Sequence, residues 1–421
     1  MLNQIKDVKH SRLAEPALFT FIIMGCMFLA SADFINRYYY CVFIAFFCFI
    51  GTPCRKISSN STLAVLILFS MSILLFDPTS QTKFTYILKP FVYPICYLMG
   101  ASLFKSRSAS DNALVTAEYD IHMVVYVLTA GTMGHFLLNM FINMSSKTRH
   151  VIDFWTRAEM SATGQATLAA LMVGVIAAFF FSDASKKKKI IAAAAIISIL
   201  GYNLILAGRT LFVLIAILVV FAFVHRSVVT KRKFFKTLVF ITLIAVAIVY
   251  LYNENIFGLR TSVESSNFYY RFFKGEYTQE INRDNRMEHK MAYIRYFWDY
   301  PFGGNQIRQL YGHHAHDLYL DTYDEAGIFA LLTITIYIIS SFLRMVRTMR
   351  SKQLSFETRQ LVACIYVVIN IQFLMEPILA GMPWLLASYC FIDGAVTYLL
   401  SEEKRLHPKI EYLAADGTVN Y

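Results

Sequence analysis

Between residues 313 and 327 the chain reads His313-His314-Ala315-His316-Asp317-Leu318-Tyr319-Leu320-Asp321, then Asp324-Glu325-Ala326-Gly327. Neutral imidazole near pH 7 takes a proton from a hydroxyl, so His316, with His314 beside it, reads as a general base. A metal site is the rival reading. His314 and His316 are two apart, which suits neither the i,i+3 nor the i,i+4 face of a helix, and only His289 is at hand to complete a set. No metal and no cofactor is therefore expected. Asp321, Asp324 and Glu325 fall in the first turns of the following helix, whose dipole favours carboxylates there. They read either as caps or as support for the base.

Two arginines stand apart from the basic clusters. Arg209 lies in the turn Ala207-Gly208-Arg209-Thr210 between two apolar blocks. It is either an interfacial arginine reaching for headgroups or an anchor for a phosphate group, which guanidinium suits as a forked, permanent charge. Arg286 opens a helix whose capping box is Asn285-x-x-Glu288 and whose apolar positions are Met287, Met291, Ile294 and Trp298. Pro301 and Gly303-Gly304 stop it, and its apolar face is expected to lie in a membrane interface. Glu376-Pro377 ends a later apolar block. Its carboxylate reads as a sugar contact, a partner of Arg209 or a helix end at a proline break. Lys89 and His135 are embedded or nearly so, Lys89 as a packing or lipid-headgroup contact.

The elements that must position these residues are membrane helices. Of 421 residues 57% are hydrophobic and only 16% charged, where a soluble domain carries about a quarter. The net charge of +11 comes in short clusters between apolar blocks, the pattern of membrane orientation rather than of a nucleic-acid surface. All seven cysteines lie in or beside apolar blocks without a CxxC, as packing thiols do. Spans are expected near Ala17–Phe34, Tyr38–Thr52, Thr62–Phe76, Phe84–Phe104, His122–Met144, Gln165–Phe181, Ile190–Ala207, Leu211–Val224, Phe234–Leu251, Ala326–Leu343, Leu361–Ile378 and Trp384–Leu400. Ala30-Ser31-Ala32 mimics a signal-peptidase site, but the many later spans favour an uncleaved anchor. The fold class is thus an all-α polytopic membrane protein of about twelve transmembrane helices.

Walking the charges sets the sidedness. Lys6, Lys9 and Arg12; Arg55 and Lys56; Lys105 and Arg107; Lys186 to Lys189; Arg226 to Lys236; Arg344 to Arg359; and Lys404 to Lys409 fall on one side, so both termini are expected to be cytoplasmic. Residues 1–251 then hold the first nine helices and 252–325 one large extracytoplasmic loop with short helices. The last three helices occupy 326–400, and 401–421 forms a cytoplasmic tail.

Three motifs in this order resemble those of the O-antigen polymerase and ligase superfamily. Leu206-Ala207-Gly208-Arg209-Thr210-Leu211 is similar to the family's Ser-Arg turn, with Gly208 in place of the serine. Asn285-Arg286-Met287 with Tyr296-Phe297-Trp298-Asp299-Tyr300-Pro301-Phe302-Gly303-Gly304 is similar to its loop arginine and Pro-Gly stretch. His314-Ala315-His316-Asp317-Leu318-Tyr319-Leu320 with Glu325-Ala326-Gly327 resembles its His-x-His-Asn motif, with Asp317 where asparagine is usual. The resemblance implies a metal-independent, inverting membrane glycosyltransferase at the outer face of a bacterial inner membrane. Its donor would be a glycan on a polyprenyl diphosphate and its acceptor a lipid-linked sugar. Arg209 and Arg286 would hold the diphosphate and His316 would activate the acceptor hydroxyl, with His314, Asp317, Glu325 and Glu376 in support. Besides the lipid bilayer, its partners would be other polysaccharide-assembly membrane proteins and no nucleic acid. A polymerase is favoured over a ligase by Glu376-Pro377 and Gly381-x-Pro383-Trp384. A transporter is the alternative from another class; the short central loop at Ser182 to Lys189 and the absence of a visible half-and-half repeat weigh against it.

Overall fold

The computed structural model of the chain describes residues 18–52, 57, 59–77, 87–105, 113–144, 151–206, 208–229, 251–265, 269 and 286–406, with isolated positions between 239 and 250. Helix makes up about 82% of it, which settles the all-α class. The described helices are α1 (Leu18–Ser31), α2 (Tyr38–Gly51), α3 (Ser61–Phe76), α4 (Val92–Ser102), α5 (Ala113–Ile142), α6 (Ala162–Phe180), α7 (Lys186–Leu206) and α8 (Arg209–Val229). They continue as α9 (Leu259–Glu264), α10 (Arg286–Arg295), α11 (Gln306–Tyr311), α12 (Leu318–Arg350), α13 (Phe356–Met375), α14 (Ile378–Gly381) and α15 (Pro383–Leu406). Seven of these are long and apolar enough to cross a membrane, and α1 to α3 are shorter apolar helices. Most long helices outrun the apolar blocks seen in the sequence by a turn or more of polar residues, because backbone bonding continues past the apolar boundary. The expected span Phe234–Leu251 falls largely outside the described residues, as do the termini.

At the centre lies α6, with α5, α7, α8 and α13 around it. Its sequence, Ala-Thr-Gly-Gln-Ala-Thr-Leu-Ala-Ala, is rich in small residues, which let four neighbours approach closely. The last helix, α15, is enclosed in the same way by α4, α5, α12 and α13. Between α5 and α6 the chain forms a short antiparallel hairpin, β1 (Val151–Ile152) and β2 (Glu159–Met160), which periodicity did not foretell.

Polar contacts sort the helix ends into two groups. At one end Lys188 pairs with Glu357, Arg226 with Asp183 at 3.4 Å, and Ser351 with Glu403. Glu118 there accepts from Thr358 Oγ1 at 2.8 Å. At the other end Trp155 Nε1 donates to Ala32 O at 3.1 Å, and Asn305 Nδ2 to Asp77 Oδ1 at 3.1 Å. The described lysines of the 186–189 cluster therefore sit away from the histidine motif. Arg344 departs from its reading as part of a terminal cluster. Its guanidinium is buried against Asp393 inside the bundle, donating from Nε at 2.8 Å, and also reaches Thr62 Oγ1 at 2.9 Å.

Candidate functional site

The segment 286–325 has a small core of its own, made by Tyr293, Ile307, Ala315 and Tyr323. Tyr323 stacks on Phe297 with ring centroids 4.1 Å apart, and Tyr293 Oη donates to His313 O at 2.7 Å. Met291, Ile294 and Trp298 stay exposed, so the apolar face expected on α10 has no protein partner among the described residues.

What fixes this segment on the bundle is a backbone strap over a break in α12. Ala326 and Gly327 are non-helical, and Gly327 adopts φ 75°, ψ −169°, a region that only glycine occupies without strain. Across the break, Ile328 N donates to Pro301 O at 2.9 Å, Gly304 N to Glu325 O at 3.2 Å, and Asn305 N to Asp324 O at 2.7 Å. Gly303 also has positive φ, and a Cβ there would lie 2.5 Å from Gly327 N. Backbone therefore rests directly on backbone. The Pro-Phe-Gly-Gly and Glu-Ala-Gly segments, separate in the sequence, form one junction. Phe302 extends it by stacking on Phe76 of α3 at 5.6 Å.

The histidine motif hangs between this junction and α10. Asp317 is the N-cap of α12, its carboxylate accepting from Leu320 N at 2.7 Å, and it pairs with Lys290 Nζ at 3.0 Å. Lys290 also donates to Leu374 O at 3.0 Å, tying α10 to the end of α13. Glu376 is the buried, extended residue that ends α13 before Pro377, as a residue ahead of proline prefers. Asp321 accepts from Ala315 N at 3.0 Å, and Asp324 from Ile307 N at 2.9 Å. Both carboxylates thus order the loop. His316 is half-buried with φ 57°, the left-handed turn that carries the chain into the cap. Its ring centroid is 6.5 Å from that of His289, which stacks on His313 at 4.4 Å. Among the described residues no three His, Cys, Asp or Glu side chains gather as ligands for one metal ion.

His314 lies 3.5 Å from an Arg308 guanidinium nitrogen and 3.9 Å from Asp321 Oδ1. Burial, then the charges of Arg308 and His313, hold its pKa below the ordinary imidazole value. It is therefore neutral at pH 7. Arg308, whose guanidinium also donates to Asn305 Oδ1, was not singled out from the sequence. One signal marked it, since it is the only Lys or Arg between Arg295 and Arg344. Arg308 lines a cavity of ≈370 Å³ with Lys89, Asp77, Glu325, Asn36 and Gly381. Glu325 and Lys89 thus line the same cavity.

The two arginines expected to hold a diphosphate are described in backbone only; their side chains lie outside the described residues. Arg286 opens α10 one turn before Lys290. Arg209 opens α8 directly after Gly208, whose carbonyl accepts from Asn203 Nδ2 at 2.8 Å. A Cβ at 208 would lie 2.6 Å from Asn203 Oδ1 and 3.6 Å from Ala162 Cβ, which accounts for glycine in place of serine. Position 208 is therefore beside the start of α6, at the end of the bundle that holds the cavities.

A second cavity, of ≈340 Å³, shares Asn36 and Gly381 with the first and is lined by Asp33, His135 and Asp153. Its His–Asp pair was not read from the sequence, because Asp153 sits in the hairpin turn eighteen residues after His135 and reaches it only when the hairpin folds back on α5. Compared with models of known protein families and with curated proteins, the chain matches none.

Proposed function

We propose that the chain is a multi-pass inner-membrane glycosyltransferase of the O-antigen polymerase and ligase kind. It crosses the membrane about twelve times, with both termini cytoplasmic and the histidine motif outside. The acceptor hydroxyl oxygen attacks the anomeric carbon of a polyprenyl-diphosphate-linked glycan. The bond from that carbon to the diphosphate oxygen breaks, the diphosphate leaves with the electron pair, and His316 takes the hydroxyl proton. Charge builds on the leaving diphosphate, where fixed cations stabilise it. Arg209 and Arg286 carry that role by resemblance, and Lys89 and Arg308 join them from the cavity wall. His314 supports His316 as a neutral imidazole, and Asp317 holds the motif to α12.

The observation that carries this reading is the junction at Gly303 and Gly327, which packs two separate motifs together and sets His314 against Arg308. The sugar acceptor is placed with a lipid-linked repeat unit, a polymerase reaction, on the pattern of Glu376-Pro377 and Gly381-x-Pro383-Trp384. The transporter reading draws on the Arg344–Asp393 pair inside the bundle. That pair is saturated by Ser341, Tyr366 and Thr62, as a structural ion pair is, and lines neither cavity.

Deletion of the gene tests the reading. Surface glycan reduced to single repeat units is the expected result. Full-length polymer accumulating on polyprenyl diphosphate would mark a ligase instead, and unchanged length and attachment would overturn both. Sidedness is checked with single cysteines in a cysteine-free background: an impermeant maleimide should label Gln309→Cys from outside and spare the exposed Ser185→Cys.

A further inference from the structure

The second cavity has a chemistry that diphosphate transfer does not use. It lies among the α1–α2 turn, the hairpin and the α14–α15 corner, with Asp33, Asn36, His135, Asp153, Ser161 and Trp384 in its wall. Its ≈340 Å³ falls within the roughly 300–1,000 Å³ of small-molecule sites. Among the described residues no lysine or arginine lines it.

His135 and Asp153 are 3% and 4% exposed, and His135 Nε2 lies 2.6 Å from Asp153 Oδ2. The other carboxylate oxygen accepts from Trp155 N at 3.0 Å, Thr156 N at 2.8 Å and Thr156 Oγ1 at 2.9 Å. Burial alone would raise the pKa of Asp153, but the hydrogen bonds from His135 and Thr156 outweigh it and keep the group ionised. With Nε2 facing the ionised Asp153, Nδ1 is the polar atom of His135 left to face a hydroxyl, which can accept from it or donate to it. Among the described residues that Nδ1 has no hydrogen-bond partner, and neither does Asp33 Oδ1. Buried polar atoms are seldom left so. Pinning the hairpin to α5 explains Nε2, and the backbone of Tyr38 engages the Asp33 carboxylate at the start of α2, which leaves Nδ1 and Asp33 Oδ1 unexplained.

We propose that this cavity binds a sugar ring, whose hydroxyls hydrogen-bond with His135 Nδ1 and donate to the Asp33 carboxylate while Trp384 supplies apolar surface for its C–H face. A phosphate would find no cation there. A metal ion is disfavoured because no group of three candidate ligand side chains is assembled among the described residues. A purely apolar ligand would strand both polar atoms. The cavity shares Asn36 and Gly381 with the one lined by Lys89 and Arg308, so a sugar bound here would lie next to a diphosphate bound there. Only this last step, which makes the sugar the acceptor, rests on the transferase reading.

The test reads binding without turnover. The purified full-length protein is placed in nanodiscs, because maltoside detergents would compete with their own sugar heads. Intrinsic tryptophan fluorescence is followed during titration with the methyl glycosides of glucose, galactose, N-acetylglucosamine and rhamnose, and with inorganic phosphate. At least one glycoside should give a saturable change, weakened tenfold or more by Asp33→Asn and by His135→Gln, with no competition from phosphate. Asp33 has φ 46°, which asparagine tolerates, and a half-buried side chain, so Asp33→Asn decides alone if His135→Gln does not fold. No response to any glycoside, an undiminished response in Asp33→Asn, or displacement by phosphate would overturn the proposal. Transferase activity is not read, so either reading can fail without the other.

Discussion

The two adjoining cavities have opposite polarity. One sets Lys89 and Arg308 among carboxylates, with Asp77 already engaged by Asn305; the other presents Asp33 and the His135–Asp153 pair without a cation. The first gathers residues from positions 36 to 383, so it exists only when the whole bundle is assembled. The second spans the chain in the same way, from Asp33 in the α1–α2 turn through the hairpin to Trp384 of α15. A group-transfer site needs donors where the leaving group gathers charge and acceptors where hydroxyls are held. On the proposed reading, the first cavity handles the anion and the second the hydroxyls.

The harshest test of the proposed reaction is removal of His316, the proposed base. In His316→Ala or His316→Gln, turnover should fall by about two to four orders of magnitude, the usual worth of a positioned general base. Binding of the polyprenyl-diphosphate donor should stay within a few-fold of the parent, because the cations supply it. EDTA should leave the parent's activity unchanged. Loss of activity on chelation, with recovery on adding zinc or manganese, would turn the histidines into ligands and break the assignment.

Arg308 comes next. Arg308→Met should lower turnover roughly a hundredfold, the low end for losing one donor that stabilises developing charge. Arg308→Lys should recover only part of it, since lysine keeps the charge and loses the fork that reaches Asn305 and His314 together. The same substitution reports on His314. Its pKa is lowered first by burial and then by Arg308, so the unfolded chain binds the proton more tightly than the native one. Stability is therefore lost as pH falls below the ordinary imidazole value. Arg308→Met should shrink that loss, seen as a smaller drop in melting temperature between pH 7.5 and 5.5. An unchanged pH dependence would remove Arg308 from the environment of His314.

The sequence announced the bundle far better than the cavities. Apolar blocks are long and regular, and Lys188 and Arg226 from two of the basic clusters fall at one end of the bundle. The His314 to Gly327 stretch was legible because its parts are contiguous and its caps are local. Arg308 was not, since its role depends on the strap at Gly303 that turns it toward Lys89, more than two hundred positions earlier. Asp153 was hidden by the hairpin, whose strands are too short to show a period. Asp393 was masked by the apolar residues around it, and its partner Arg344 looked like one more loop cation.

The smallest expected effect concerns Asp317, where the resembling family has asparagine. Asparagine and aspartate cap helices about equally well, whereas alanine leaves the N–H of Leu320 without its acceptor. Aspartate adds a second contact, the pair with Lys290 Nζ, which itself holds α10 to the end of α13. Asp317→Asn should therefore keep the cap and lose only the ion pair, with turnover within a few-fold of the parent. Asp317→Ala should lose both and cost about 1 kcal/mol or somewhat more of stability, with a larger fall in turnover as His316 loses its anchor. Lys290→Met spares the cap and removes both the pair and the bond to Leu374 O. If Lys290→Met and Asp317→Asn melt and turn over alike, the pair accounts for the effect of both changes and the bond to Leu374 O adds nothing. If Asp317→Asn is as damaged as Asp317→Ala, the negative charge itself serves the histidine motif and the cap is incidental.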